Sequence, residues 1–396
     1  MTHTASLRIG LFGFGTVGQG LYDVLQRTPL LRTEIARICV RDRFKQRSAP
    51  ARLLTFDRDE ILDDPDIDVV VELIDDPDAA FDIVSRALES GKAAVSANKR
   101  MIASRLPELL ELQSRTGMPF LYEASTCGSI PIIRNLEEYY DNDLLRSVRA
   151  IVNGTTNYIL TALHSPHTGG YGEALAGAQR LGFAESDPTL DVEGYDAAFK
   201  TTIIAAHAFG VVLNPSQVVR RGITAITPYD VSVARQLTCS IKLLSTVQLH
   251  GDSLSVMALP AFTPNGLHLA SIQNEMNAVQ LTAAFSDAQL LVGKGAGGGP
   301  TASAVLSDIA AIRHTYRYEY KKMQQPVRPT VDHGIEVSVY VRASAAILRE
   351  VPFRSIEVDH RGITGSYVIG RIVLDDLHRC SAFLDPSVFI AIVHDG

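Results

Sequence analysis

The sequence predicts an α/β fold built on a doubly wound parallel sheet of the Rossmann type, with a second α/β region and a small β-rich region after it. Three observations carry this expectation. Residues 7–25 read as strand, GxGxxG and helix; strand-like apolar runs then alternate with amphipathic stretches as far as residue 122; and residues 330–396 run βαββαβ. At 396 residues the chain is too long for one compact core, so about two or three domains are expected.

The first strand, LRIGLF at 7–12, meets Gly13, Phe14, Gly15, Thr16, Val17 and Gly18, and an amphipathic stretch follows to Leu25. In this pattern the first glycine permits a tight turn and the second lets the backbone approach a pyrophosphate. The third allows close helix–strand packing, with the helix N-terminus facing the anion. Followed by a second strand at 35–40, the motif reads as a dinucleotide cradle; a glycine-rich turn of another α/β protein is the alternative. The end of that strand selects the cofactor. An acidic residue there suits the ribose hydroxyls of NAD, whereas an arginine accommodates the 2′-phosphate of NADP. Arg41 comes first here, then Asp42, with Arg43, Lys45 and Arg47 behind. The basic cluster favours NADP and Asp42 keeps NAD open, while a solvated basic loop would look the same.

Further strands are expected at 69–74, 93–96 and 120–122, with helices between them at 79–89 and 106–115. Ligands gather at the carboxyl ends of such strands, which places Asn98 and Lys99 by the nicotinamide end of a cofactor. Lys99 could polarise a substrate oxygen there; a surface lysine after a strand is the plainer reading.

Composition narrows the possible partners. A net charge of −7 without a basic block argues against nucleic acid or an anionic membrane surface. The longest apolar stretch, 203–213, is interrupted by His207 and is too short to cross a bilayer. The opening MTHTASLRIG lacks a basic region followed by an apolar one, so no signal peptide is expected. Cys39, Cys127, Cys239 and Cys380 lie far apart and form no CxxC, which predicts a reduced, cytoplasmic protein without a structural metal.

The densest chemistry lies at 182–200, GFAESDPTLDVEGYDAAFK. Glu185, Asp187, Asp191, Glu193 and Asp196 crowd five carboxylates into twelve positions, and the stretch ends on Lys200. If DAAFK opens a helix, Asp196 and Lys200 share one face. The apolar run IIAAHAFGVV after it predicts that this helix is buried. A buried lysine tethered to an aspartate suits proton transfer, because burial weakens an ammonium's hold on its proton and a carboxylate fixes its place. The upstream acids could hold a cationic substrate group. An acidic loop capping an ordinary helix is the competing view.

Several segments occur together in one order between residues 7 and 325. They are the glycine cradle, Ser96-Ala97-Asn98-Lys99, Tyr122-Glu123-Ala124-Ser125, Ile130-Pro131-Ile132-Ile133, Asn153-Gly154-Thr155-Thr156-Asn157-Tyr158, the 182–200 block, and GAGGGPTASAV at 295–305. With them the chain resembles the homoserine dehydrogenase family. The resemblance implies interconversion of L-homoserine and L-aspartate 4-semialdehyde by hydride transfer with NAD or NADP, in threonine, methionine and isoleucine biosynthesis. Lys200 falls on the family's catalytic lysine, Lys99 on its second lysine, and Asp191 and Asp196 on its substrate-site aspartates. Glu185 is similar to the glutamate that holds the substrate ammonium, and Thr155 lies in a substrate loop. Glu123, Thr126, Gly128 and Ile130 resemble a loop that binds a monovalent cation, Na or K, mostly through backbone carbonyls and one acid. Gly297 resembles a glycine of the loop that closes over the cofactor.

The domains implied are a nucleotide-binding domain at 1–134 and a substrate and dimerisation domain at 135–325, whose last helix returns to the first. QQPVRP at 324–329 reads as a linker. Residues 330–396 follow the element order of a small regulatory ACT domain, and the resemblance implies a homodimer or homotetramer. There are departures. Arg342-Ala343-Ser344-Ala345 lacks the Pro-Gly turn common in ACT domains, so a degenerate, ACT-like domain is expected. Asp75-Asp76-Pro77 stands where the family often has glycine, and Ser125-Thr126-Cys127-Gly128-Ser129 where it has more glycine and valine. Two other functions stay open at this level. One is a dehydrogenase of another small amino-acid or semialdehyde substrate. The other is a nucleotide-binding regulator without catalysis, against which Lys99, Glu185, Asp196 and Lys200 together argue.

Overall fold

The computed structural model describes residues 6–142, 144–165, 168–362 and 365–394. Residues 1–5, which carry part of the leader expectation, and positions 143, 166–167, 363–364 and 395–396 of the expected later domains lie outside them. The chain forms two compact units, Met1–Asp141 with Gly293–Lys321, and Asn142–Val292 with Lys322–Gly396.

The first unit is a six-stranded parallel sheet of β1 (Leu7–Phe12), β2 (Thr33–Cys39), β3 (Leu54–Thr55), β4 (Val69–Glu72), β5 (Ala93–Ser96) and β6 (Phe120–Leu121). Its order, β3-β2-β1-β4-β5-β6, reverses direction between β1 and β4, where doubly wound sheets bind dinucleotides. Alternate residues feed two cores. Ile9, Leu11, Val69 and Val71 meet Leu21, Val305 and Ile309, while Phe12 and Val70 meet Ile61, Ile83 and Ala87. Burial on both faces is why β4 opens on three successive valines.

Helix Gly298–Arg313 joins this unit late in the chain, and a Cβ at Gly20 would lie 2.6 Å from the Gly298 carbonyl oxygen. Only glycine lets these two helices approach so closely. Helix Ile132–Glu138 also belongs here, which moves the boundary expected at 134 to 141. The Glu123 carboxylate accepts the Ile133 and Arg134 N–H groups at 2.8 and 2.9 Å, and Arg134 pairs with Asp308 of the returning helix at 3.1 Å. These bonds tie the helix to the nucleotide unit.

The second unit carries β7 (Leu145–Ile151), β8 (Val219–Arg220), β9 (Cys239–His250), β10 (Ser253–Pro264), β11 (Met276–Ala283), β12 (Ala288–Lys294), β13 (Thr330–Val331), β14 (Glu336–Arg342), β15 (Ser355–Arg361), β16 (Ser366–Val373) and β17 (Phe389–Val393). Nine of these run in the order β12-β11-β7-β9-β10-β17-β14-β16-β15, with β8 and β13 paired to β10. The buried helix Tyr195–Phe209 packs on β7, β9 and β10.

The C-terminal segment keeps the expected order, with helix Ala345–Glu350 between β14 and β15 and helix Leu374–Arg379 after β16. Ser344, where the Pro-Gly turn is missing, caps the first of these helices through its side chain. The separate domain expected at 330–396 requires correction. β17 pairs in parallel with β10, Ala261 opposite Ile392 and Phe262 opposite Val393, so the sheet runs on without a break. Val339, Val341, Leu377 and Ile390 share one core with Ile151, Leu244 and Leu259. Arg342 pairs with Asp230 at 2.8 Å, and the Tyr340 hydroxyl donates to the same carboxylate at 2.9 Å. The segment covers a strand edge and an apolar face that would otherwise meet water.

Candidate active site

The glycine cradle has the geometry its spacing predicts. Gly13 sits at φ +90°, and a Cβ there would lie 2.6 Å from the Leu73 carbonyl oxygen. A Cβ at Gly18 would lie 2.4 Å from the oxygen of Gly13, so the helix start is pressed against the turn. A Cβ added at Gly15 would meet no atom of the described residues within 4 Å, which leaves the backbone open to a ligand. Helix Thr16–Arg27 has no side-chain cap, and its first N–H groups are those that bind an anion elsewhere. Phe14 is buried and meets Tyr22 edge-on, Thr16 is exposed, and Val17 is half-buried.

Beyond β2, Arg41 is exposed, and Asp42 serves its own loop. Its carboxylate accepts the Phe44 and Lys45 N–H groups at 2.8 and 3.2 Å, the first of which does most to hold it below the usual carboxylate range. Arg43 stacks over Phe56 at 4.9 Å. Asp76 caps helix Pro77–Glu89, accepting the Asp78 and Ala79 N–H groups at 3.0 Å, so this departure from glycine has a structural cause.

At the carboxyl ends of β4 and β5, the buried Glu72 accepts the Ile74 N–H at 2.6 Å and the Ser96 hydroxyl at 2.5 Å. Asn98 donates its backbone N–H to Ser96 Oγ and its Nδ2 to the Ile74 carbonyl, both at 3.0 Å. Asn98 also caps helix Lys99–Thr116, so the half-buried Lys99 is the first helical residue.

In the same unit, Glu123, Thr126, Gly128 and Ile130 form a buried loop. A Cβ at Gly128 would lie 2.5 Å from the Gly295 carbonyl oxygen, so this loop is held against the chain leading to Gly297, the N-cap of helix Gly298–Arg313. The Glu123 carboxylate faces the N-terminus of helix Ile132–Glu138, and each of its oxygens accepts one helix N–H group. What the loop offers is main-chain oxygen, a hard donor that suits Na or K. Burial pushes both Glu123 and the neighbouring Asp308 carboxyl well up.

The second unit assembles the acidic block around Lys200. The Lys200 ammonium lies 2.9 Å from Asp196 Oδ2, one turn earlier on helix Tyr195–Phe209, and donates to the Val152 carbonyl at 2.7 Å. Asn153 follows that carbonyl and caps helix Gly154–Leu163, its Oδ1 accepting the Thr156 N–H at 2.8 Å. Its Nδ2 then faces two acids, Asp191 at 2.7 Å and Asp196 at 2.9 Å. Carboxylates only accept, so the amide orientation follows from its neighbours. Lys200 and Asp196 are 7% and 2% exposed, which limits competition from water.

Asp191, Asp196 and Lys200 thus meet in one network. Thr155 is buried beside it and gives its hydroxyl to the Phe183 carbonyl at 2.5 Å. Glu185 is exposed on the loop, where its backbone oxygen, not its carboxylate, accepts from Gln179 at 3.1 Å. Sequence reasoning missed Asn153, the Val152 carbonyl and Glu72. An asparagine before Gly-Thr-Thr signals a helix cap, but not what its amide reaches.

Known proteins resemble this chain in sequence and in fold. The profile described as homoserine dehydrogenase matches residues 131–310, and that described as the homoserine dehydrogenase NAD-binding domain matches residues 13–123. The homoserine dehydrogenase of Bacillus subtilis is 37% identical over 321 residues, covering 79% of this chain and 74% of that protein. That of Mycobacterium tuberculosis is 37% identical over 360 residues, covering 85% and 80%. Among solved structures, the homoserine dehydrogenase of Thiobacillus denitrificans is similar at a TM-score of 0.87 and 29% identity, covering 98% of each chain. That of S. aureus is similar at 0.75 and 28%, covering 99% of each.

Proposed function

The chain belongs to the homoserine dehydrogenase family, an oxidoreductase with an NAD-binding domain, and we propose that it interconverts L-homoserine and L-aspartate 4-semialdehyde in threonine, methionine and isoleucine biosynthesis. The observation that carries this reading is the Lys200 ammonium held by Asp196 and the Val152 carbonyl, with Asn153 bridging Asp191 and Asp196. Two of the three ammonium N–H bonds have acceptors in these contacts, and the third is available to a substrate oxygen.

The dinucleotide, when bound, gives or takes the hydride. Lys200 moves the proton: in reduction it protonates the alkoxide oxygen, and in oxidation its neutral amine removes the hydroxyl proton. Asp196 orients that amine, and Lys99, by the nicotinamide end, polarises a substrate oxygen or relays a proton. Glu185 and Asp191 hold the substrate ammonium and make the site specific for an amino acid, with Thr155 shaping the loop. The cradle at Gly13–Gly18 binds the pyrophosphate, with Gly297 on the loop that closes over the cofactor. Arg41 receives the 2′-phosphate of NADP, a reading supported by the local bonds that occupy Asp42. Carbonyl oxygens of Glu123, Thr126, Gly128 and Ile130 would hold the monovalent cation.

The protein acts as a homodimer or homotetramer in the cytoplasm. The C-terminal segment serves stability and assembly, and millimolar threonine changes activity little. A steady-state assay with aspartate semialdehyde and each reduced cofactor tests the reading. Turnover with NADPH supports it; no turnover with either cofactor in the folded protein refutes it.

A further inference from the structure

Glu72 is among the buried acids that the chemistry above does not use. Glu72 ends β4 and is 0% exposed, where the three preceding residues of the strand are valines. Burial raises its carboxyl to about 7, against the Ser96 hydroxyl and the Ile74 N–H, which lower it, and the charge acting on it is another acid, Asp75. A further valine would close the strand without that desolvation. The acid is explained by what it holds.

As a carboxylate it can only accept, so the Ile74 N–H and the Ser96 hydroxyl both point to it, at 2.6 and 2.5 Å. Ser96, having donated its proton, accepts the Asn98 N–H at 3.0 Å. Asn98 closes the ring through Nδ2 to the Ile74 carbonyl and through Oδ1, which takes the Met101 N–H, each at 3.0 Å. The loops after β4 and β5 are therefore one bonded unit, and the next residue along is Lys99. In a doubly wound sheet this edge faces the ligand crevice.

We propose that Glu72 is a positioning residue that locks the Ile74 and Asn98–Lys99 turns into a fixed ledge for the nicotinamide end of the dinucleotide. The proposal rests on the dinucleotide role of the first unit, and not on homoserine as the substrate.

The test compares binding of NADPH and NADH with binding of 2′-phospho-ADP-ribose and ADP-ribose, the matching fragments without nicotinamide. In the native protein the whole reduced cofactor binds more tightly than its fragment. Glu72→Ala shrinks that margin about tenfold while fragment affinity stays within about twofold, and kcat falls on the order of 10²-fold through misplacement of Lys99. Glu72→Gln restores most of both, because its amide oxygen still accepts from Ile74 and its NH₂ donates to Ser96. Should Glu72→Ala fail to fold, Ser96→Ala cuts the same ring at its next member and is expected to shift the margin in the same direction. A native protein that binds cofactor and fragment alike overturns the proposal. So does a fragment affinity that falls in step with cofactor affinity, which would mark general loosening. A native protein that binds NADPH with this margin yet does not turn over homoserine refutes the proposed reaction and leaves the ledge standing.

Discussion

Among carboxyl, lysine and histidine groups, burial shifts opposite kinds in the two units. In the nucleotide unit these are acids, Glu72, Glu123 and Asp308, each pushed up by burial. Backbone N–H groups hold all three: those of Ile74, of Ile133 with Arg134, and of Glu123. In the substrate unit burial instead pushes bases down, Lys242 to about 8 and His164 to about 4. The same unit also holds two matched pairs, Lys200 with Asp196 and Arg342 with Asp230. Acids held by backbone N–H groups fix loop shape, whereas a base held against its counter-ion keeps a set place.

The largest effect should come from breaking the Lys200–Asp196 pair. Lys200→Ala is expected to lower kcat by about 10²–10⁴-fold with folding intact, read by steady-state rates beside circular dichroism. Near-native turnover would strip the substrate unit of its assigned chemistry. Next is the pair that joins the C-terminal segment to the same sheet. Asp230→Ala leaves Arg342 half of a buried pair and should cost about 3–5 kcal/mol in denaturant unfolding. A loss below about 1 kcal/mol would argue for an autonomous C-terminal domain after all.

Smaller is the expected effect at the exposed acid of the substrate loop. Glu185→Gln should raise KM for homoserine roughly 10–150-fold, the worth of one charge-assisted bond at about 1.5–3 kcal/mol. An unchanged KM would move the ammonium site to Asp191, already in the network. In the nucleotide unit, Arg41→Ala should narrow the preference for NADP(H) over NAD(H) by about tenfold, within the same range for a bond to a charged group. Native binding that already favours NAD(H) would give the choice to Asp42.

The smallest effect separates the units by pH. Glu72, Glu123 and Asp308 have folded pKa values raised above their unfolded ones. Their contribution is full below the unfolded carboxyl range and is lost as pH rises through the raised values, to about 7 for Glu72. His164 and Lys242 are lowered, so the unfolded chain binds more protons. The substrate unit gains stability as pH rises from about 4 toward 6.5, and again from about 8 toward 10.5. Amide exchange at pH 6 and 8, corrected for intrinsic rates, should show protection falling in the nucleotide unit and not in the substrate unit. Parallel trends would dissolve the contrast.

Short-range patterns carried the first half of this description. The Gly13–Gly18 spacing implied the turn, and the four-residue step from Asp196 to Lys200 implied their contact, because both depend only on local backbone geometry. The order of the main strands and helices was legible from apolar periodicity at 7–122 and in the βαββαβ segment, but not between them. Long-range pairing was not. Asn153 reaches Asp191 and Asp196 across 38 and 43 positions, and Glu72 reaches Ser96 across 24. The Glu123 carboxylate meets a helix end, where the N–H groups of Ile133 and Arg134 needed an acceptor. Residues 330–396 joined the substrate sheet because β10 offered an unpaired edge and an apolar face to β17. Such choices depend on which edges and faces remain uncovered once the chain is compact, and no local run of residues encodes that.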